Sequence, residues 1–179
     1  MTDRPQADDH LATKRTEPPT VADERTLLTG FLDYHRQTLL LKCAGLTPEQ
    51  LIARAAPPSS LSLLGLVRHL TMVERVWLQE RFRGEPEVEF YGPGDGDFEV
   101  TEADEQSVAE AFARYAETVA SCRRIMDEAG LDDLTRTPHR RTGEHFSLRW
   151  ILIHLIEEYA RHNGHADLLR EALDGQVGE

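Results

Sequence analysis

The stretch that decides the fold lies near the end of the chain, where residues 151–169 have the sequence ILIHLIEEYARHNGHADLL. Apolar residues recur there every three or four positions, which is the spacing of an amphipathic helix. The positions that share this stripe are Ile151, Leu155, Glu158, His162, His165 and Leu169. One carboxylate and two imidazoles thus stand where core residues belong, and burying them without partners is costly. The pattern predicts a core-facing helix whose polar side chains are compensated, most simply by a divalent metal ion.

Three more segments have helical periodicity, and proline or glycine separates them. The four predicted helices cover about 23–43, about 60–83, Thr101 to Gly130, and Ser147 to near Gly175. The connection between the second and third helices, 84–100 (GEPEVEFYGPGDGDFEV), is too long for a tight hairpin. We therefore predict an all-α fold, a four-helix bundle with a long crossover between helices two and three.

The crossover contains Asp95-Gly96-Asp97, which is faintly similar to a calcium-binding loop. The remaining ligand positions of such a loop are missing, so we expect a solvated connection. The 179 residues are enough for one domain, which we assign to residues 21–179. Residues 1–20 lack apolar periodicity and an apolar signal-peptide region, and we expect them to form a disordered tail.

Composition excludes several classes of function. The net charge is −12, with 32 acidic and 20 basic residues, which disfavours binding to nucleic acid. No apolar run approaches the length of a membrane span, so we expect no membrane association and a cytoplasmic location. Cys43 and Cys122 are isolated within helical patterns and are expected in the core. The expected partner is a small-molecule substrate, and the protein is expected to be a monomer or a homodimer.

The candidate metal ligands come from two helices. Glu158 and His162 are four residues apart, so one ion can contact both. The third candidate is His69, which interrupts the apolar pattern of LLGLVRHLTMVERVW on the second helix. Two histidines and one carboxylate suit zinc or another first-row divalent ion and leave a coordination position for water or substrate. Two simpler interpretations compete, since a Glu-His pair is usually a surface pair and a single His is usually a core residue.

Other histidines on the last helix keep alternatives open. His165 is two turns from Glu158, about 10 Å along the helix axis. It is the candidate catalytic acid or base, a residue that orients a ligand, or a substitute ligand. His154 is one turn before Glu158 and could also replace a ligand.

With these residues in view, the chain from about Val21 to Leu173 resembles the DinB-like superfamily of metal-dependent bundles. The resemblance rests on LLGLVRHLTMVERVW with His69, and on SLRWILIHLIEEYARHNGHADLLRE with Glu158 and His162. Many members carry HxxxH on the late helix. Here Glu158 stands in the first of those positions, as in the thiol-dependent maleylpyruvate isomerases, which this part of the chain resembles. The sequence as a whole is most similar to an actinobacterial subgroup of unassigned function.

This resemblance implies a metal site at one end of the bundle and a low-molecular-weight thiol, mycothiol or bacillithiol, as co-substrate. The metal is expected to be zinc, with nickel or iron as alternatives. The hypothesis is that His69, Glu158 and His162 hold this metal, which activates the thiol for S-transfer or isomerisation of a small electrophile. The alternatives are a metal-dependent hydrolase and a non-catalytic metal- or ligand-binding stress protein.

Two groups of residues have a possible binding role beside a simpler structural one. Arg136, Arg140 and Arg141 could recognise an anionic substrate, although solvated loop charges are more common. Trp77 and Trp150 could line a pocket, although core packing is the more common role of tryptophan.

Overall fold

A computed structural model describes residues 15–177 except 93 and 95. All the regular elements in these described residues are helical, and one isolated antiparallel bridge joins Leu134 to Ser147. The helices are α1 (Glu24–Cys43), α2 (Pro48–Ile52), α3 (Leu63–Glu74), α4 (Glu105–Glu128) and α5 (Leu148–Asp174). The all-α fold class expected from the sequence is confirmed.

Side-chain caps set where the helices begin. Asp23, Ser62 and Ser147 accept hydrogen bonds from backbone N–H groups in the first turns of α1, α3 and α5. The expected start of the third helix at Thr101 is wrong by four residues. Asp104 is the N-cap of α4 and exchanges hydrogen bonds with Ser107, so this capping box begins the helix at Glu105.

The second long helix changes its hydrogen-bonding pattern part-way along. It is α-helical to Glu74 and continues as a π-helical segment, Arg75–Phe82. Wider hydrogen-bonded turns persist to its end, where the N–H of Arg83 donates to the carbonyl of Leu78 at 3.1 Å. The expected helix over about 60–83 is therefore present, but its first turn begins later and its second half is not an α-helix.

The long helices pack as a bundle around one core. Helix α1 packs mainly on α5, α3 packs on both α4 and α5, and the π-helical segment packs on α4. The centre of the core is made of fully buried leucines and isoleucines from α1, α3, the π-helical segment and α5, among them Leu32, Leu66, Leu70, Leu78, Leu148, Ile151 and Leu155. Helix α4 adds buried residues such as Phe112, Tyr115 and Val119. In the part of the chain that the structure describes, none of the helices has the length and apolar composition that crossing a bilayer requires.

The segment before α1 has no regular structure. Of the predicted tail, residues 1–14 lie outside the described residues. Residues 15–20 run beside α1, where the N–H of Thr16 donates to Gln37 Oε1 at 2.6 Å and the guanidinium of Arg15 lies over the ring of Tyr34.

Candidate metal centre

The structure brings together the three residues that the sequence singled out as metal ligands. His69 of α3 and Glu158 and His162 of α5 each offer a ligand atom, and these atoms all lie within 4.8 Å of one another. The two imidazole rings are 4.7 Å apart between centroids. His162 is buried, whereas the other two residues are partly buried. The cluster therefore lies at the edge of the core, between two helices.

The residues fit a divalent metal ion. Ligand atoms around tetrahedral zinc are roughly 3.3 Å apart, given zinc–nitrogen and zinc–oxygen distances near 2 Å. His162 Nε2 and Glu158 Oε2 are already 3.5 Å apart. Burial, with smaller contributions from His69 and His165, lowers the pKa of His162 to about 4. This ring is therefore neutral near pH 7 and has a lone pair to offer a metal.

His165 lies behind His162. The Nδ1 atoms of the two rings are 3.3 Å apart, and the rings meet edge to face. Because His162 Nε2 faces Glu158, its Nδ1 is the atom that contacts His165. This arrangement lets His165 act on the orientation of His162.

His154 lies on the other side of Glu158, with its Nε2 3.8 Å from Glu158 Oε1. His154, Glu157 and Glu158 form a second cluster with ligand-like spacing. All three come from successive turns of one helix, and Arg161 pairs with both carboxylates. Glu157, the carboxylate found only in this second cluster, is exposed, whereas the cluster that joins two helices includes the buried His162. The cluster that joins two helices is therefore the stronger metal candidate.

The crossover contributes Asp97, which the sequence analysis noted only as part of a motif faintly similar to a calcium-binding loop. Asp97 Oδ2 lies 2.7 Å from His69 Nδ1, and Phe98 stacks on the same imidazole at 4.2 Å between centroids. The Asp97 side chain is only 14% exposed and Val100 is buried. The expectation of a solvated crossover is therefore wrong for Asp97, Phe98 and Val100, whereas Glu99 between them is exposed. The acidic DGD motif was visible in the sequence, but its spatial neighbour was not.

A second missed feature is a buried polar network to which each long helix contributes one residue. Arg36 of α1 donates from Nε and Nη2 to the two carboxylate oxygens of Glu74 of α3, both at 2.7 Å. Tyr159 of α5 donates to Glu74 Oε1 at 3.0 Å and is hydrogen-bonded to the hydroxyl of Tyr115 of α4. Tyr159 adjoins Glu158 in sequence. The network therefore holds α5 against α3 next to the candidate metal ligands.

A cavity of about 270 Å³ opens beside His69, between α3, the π-helical segment and the crossover. Its wall is mostly apolar, and its described lining residues include Met72, Val73, Val76, Trp77, Phe90 and Tyr91. Asp97 and Glu89 supply polar groups. The cavity is large enough for a small organic molecule and places it next to a candidate ligand.

The two cysteines cannot serve as the nucleophile of this site. Cys43 and Cys122 are both buried, as the sequence indicated. Burial raises the pKa of the Cys43 thiol to about 12 and also raises the pKa of the Cys122 thiol. Neither forms a thiolate near pH 7, so a thiol nucleophile would have to come from outside the protein.

Two arginines of the connection before α5 contact groups outside the cluster. Arg136 donates to the carbonyl of Arg83, and Arg140 pairs with Glu87. Of the two tryptophans, Trp77 lines the cavity, whereas Trp150 is 43% exposed and packs on Phe146. The structure thus gives the first tryptophan a place in the pocket and leaves the second outside the core.

Comparisons with known proteins agree with the helical fold. The family model described as Mycothiol-S-transferase matches residues 27–175. The crystal structure of a conserved protein from Enterococcus faecalis superposes with a TM-score of 0.61 at 18% sequence identity, covering 87% of this chain and 100% of that chain. At this identity the likeness shows the fold alone. No curated protein matches the chain. The resemblance to the DinB-like superfamily is confirmed.

Proposed function

Because the chain belongs to the mycothiol-S-transferase family, we propose that it transfers an external low-molecular-weight thiol to a small electrophile. Mycothiol is the first choice of thiol. His69, Glu158 and His162 hold a divalent metal, for which zinc is the first choice and nickel and iron are alternatives. The observation that carries this proposal is the convergence of these three side chains from two helices within 4.8 Å, beside a cavity.

The role of the metal follows from the chemistry of thiols. When bound, a divalent metal lowers the pKa of a coordinated thiol, so that a thiolate is present near neutral pH. The chain cannot provide this thiolate itself, because both of its cysteines are buried. An external thiol would therefore supply the nucleophilic sulfur that the buried cysteines cannot provide.

The protein residues bind and orient the reactants. Three protein ligands leave room for the sulfur of the thiol. The apolar cavity lined by Val73, Val76 and Trp77 holds the electrophile near His69. His165 supports His162 through the contact between their Nδ1 atoms. In the transfer, a sulfur–carbon bond forms, the leaving group departs with its bonding electrons, and the thiol proton passes to solvent.

The test combines metal analysis with a thiol-dependent assay. We expect about one divalent ion per chain after purification and dialysis. We also expect alkylation of mycothiol by a fluorogenic bimane alkyl halide to be faster with the protein than without it. Glu158→Gln should lose the metal and the rate enhancement. Glu157→Gln removes the same charge from an exposed residue of the same helix that belongs only to the second cluster, so this variant should keep the metal.

Each outcome separates the proposal from its alternatives. Hydrolysis of a substrate without any thiol would replace the transferase by a metal-dependent hydrolase. Tight metal binding without rate enhancement for any thiol would indicate a binding protein. Unchanged metal content in Glu158→Gln would remove Glu158 from the ligand set. Loss of the metal in both Glu158→Gln and Glu157→Gln would instead favour the cluster of His154, Glu157 and Glu158.

A further inference from the structure

The crossover ends against the candidate metal centre. Asp97 Oδ2 is 2.7 Å from His69 Nδ1, and both side chains are at most 20% exposed. A carboxylate oxygen without a proton can only accept, so the imidazole donates through Nδ1–H. The proton is thereby kept on Nδ1, and Nε2 is left as the nitrogen with a free lone pair.

Several contacts keep this end of the crossover on α3. Arg68 Nη2 donates to the carbonyl of Gly96 at 2.8 Å, and its guanidinium lies over the ring of Tyr91. Phe98 stacks on the imidazole of His69 with a 24° angle between the rings. The position of Asp97 is thus set by contacts on both sides of it.

A glycine on α3 makes room for this approach. A Cβ added at Gly65 would lie 3.1 Å from Ser62 Oγ, 3.2 Å from the carbonyl oxygen of Phe98 and 3.4 Å from the Cα of Phe98. The two atoms of Phe98 belong to the backbone, which cannot swing away as the end of a side chain can. Gly65 is one helical turn before His69, so the crossover backbone approaches α3 beside the candidate ligand.

We propose that Asp97 is the positioning residue for His69: it fixes the tautomer and the ring orientation that present Nε2 to the metal. The ring is held on its face by Phe98 and at its edge by Asp97, so the crossover and the metal centre form one unit. The proposal rests on the metal site of the proposed function but on no step of its chemistry. Loss of a residue that orients a metal-binding histidine typically weakens metal affinity by about 10–100-fold.

The first experiment measures the tautomer of His69 in metal-free protein by nitrogen-15 NMR, with His69→Gln to assign its signals. We expect the Nδ1–H tautomer in the parent protein and in Asp97→Asn, whose amide oxygen still accepts a hydrogen bond. Asp97→Ala should shift the population toward Nε2–H. Glu99→Ala is the matched control, because Glu99 is an exposed residue of the same crossover and this substitution removes the same charge at a side chain that does not contact His69.

The second experiment measures cobalt(II) affinity of the same variants by the absorbance of the bound ion. We expect Asp97→Ala to weaken binding about 10–100-fold, Asp97→Asn to recover most of the affinity, and Glu99→Ala to stay near the parent. Equal behaviour of Asp97→Ala and Glu99→Ala would overturn the proposal. So would equal loss in Asp97→Asn and Asp97→Ala, because charge rather than orientation would then be responsible.

A variant outside the crossover tests the same contact. Gly65→Ala pushes against the backbone of Phe98 and should weaken cobalt binding, whereas Gly164→Ala, a helical glycine with open space around its position, should not. Thermal unfolding of the metal-free variants shows whether each one folds. If the parent bound no cobalt, the metal centre of the proposed function would fail, yet the tautomer measurement would still decide the role of Asp97.

Discussion

Replacing Glu74 by glutamine tests whether the buried network holds the bundle together. Glu74 is fully buried and accepts two hydrogen bonds from Arg36, which is 2% exposed, and one from Tyr159. The substitution keeps the size of the side chain and removes its charge. It leaves the guanidinium in the core with a neutral amide that places a donor where an acceptor is needed.

The expected loss of stability follows from the burial of the pair. Breaking a buried ion pair by removing one partner costs about 3–5 kcal/mol. The lower end applies here, because Arg36 Nη1 keeps a hydrogen bond of 2.8 Å to Asp33, whose side chain is 36% exposed. For a chain of this size, each kcal/mol lowers Tm by about 2–4 °C, so 3 kcal/mol corresponds to a decrease of about 6–12 °C.

The assay is urea unfolding of metal-free protein followed by circular dichroism, with EDTA present so that metal does not contribute. Tyr159→Phe, which removes one hydrogen bond, should cost about 1 kcal/mol. Exposed Glu157→Gln should change stability by less than about 0.5 kcal/mol. The double variant Arg36→Met, Glu74→Leu should be more stable than Glu74→Gln, since no unpaired charge remains. A loss below about 1 kcal/mol in Glu74→Gln, or a double variant weaker than it, would refute this reasoning.

Three further predictions concern acid, metal and glycine. Burial lowers the pKa values of His35, His154 and His162, so the unfolded chain takes up protons first as the pH falls. The contribution of these neutral histidines to the unfolding free energy of metal-free protein should be complete above pH 6.5 and should be lost as the pH falls toward 4. Urea titrations at pH 7.5 and 5.0 check this, and a higher unfolding free energy at pH 5.0 would contradict it. Zinc at about 100 times its Kd should raise the unfolding free energy by about 2.7 kcal/mol, and His162→Ala should abolish this gain in melts with and without EDTA. Gly175→Ala should lower the unfolding free energy by about 1–2 kcal/mol, because the helix ends there with φ +78°, which an alanine adopts only with strain. Gly164→Ala, inside the helix with open space around it, should raise the unfolding free energy by about 0.5–1 kcal/mol. If urea titrations showed both substitutions changing stability in the same direction, backbone conformation would not explain the effects.

Local patterns were sufficient to locate the long helices and to identify the candidate ligands, although not to fix every helix start or the π-helical segment. Helical periodicity and caps depend on residues within a few positions of one another, so Asp23, Ser147 and Gly175 could be recognised as helix ends from sequence. The four-residue spacing of Glu158 and His162 likewise follows from helix geometry alone. His69 was a candidate because a histidine interrupts an apolar stripe.

The buried face of α5 shows where local patterns were insufficient. The apolar stripe assigned Glu158 to the core, whereas the structure buries Tyr159 fully and leaves the Glu158 side chain 14% exposed. A helix periodicity defines a face only to within part of a turn. The contact with α3 decides whether Glu158 or Tyr159 enters the core. Here Tyr159 is in the interior, where its hydroxyl donates to Glu74 of α3.

The sequence by itself determined four amphipathic helices, several of their ends and a set of polar residues on core-facing stripes, because these properties arise from neighbours along the chain. Only the tertiary structure decided that Asp97 meets His69 and that Arg36 meets Glu74, pairs separated by 28 and 38 positions. Such pairings depend on the relative register of packed helices and on the path of the crossover. Both are set by the packing of the whole core, which no single segment encodes.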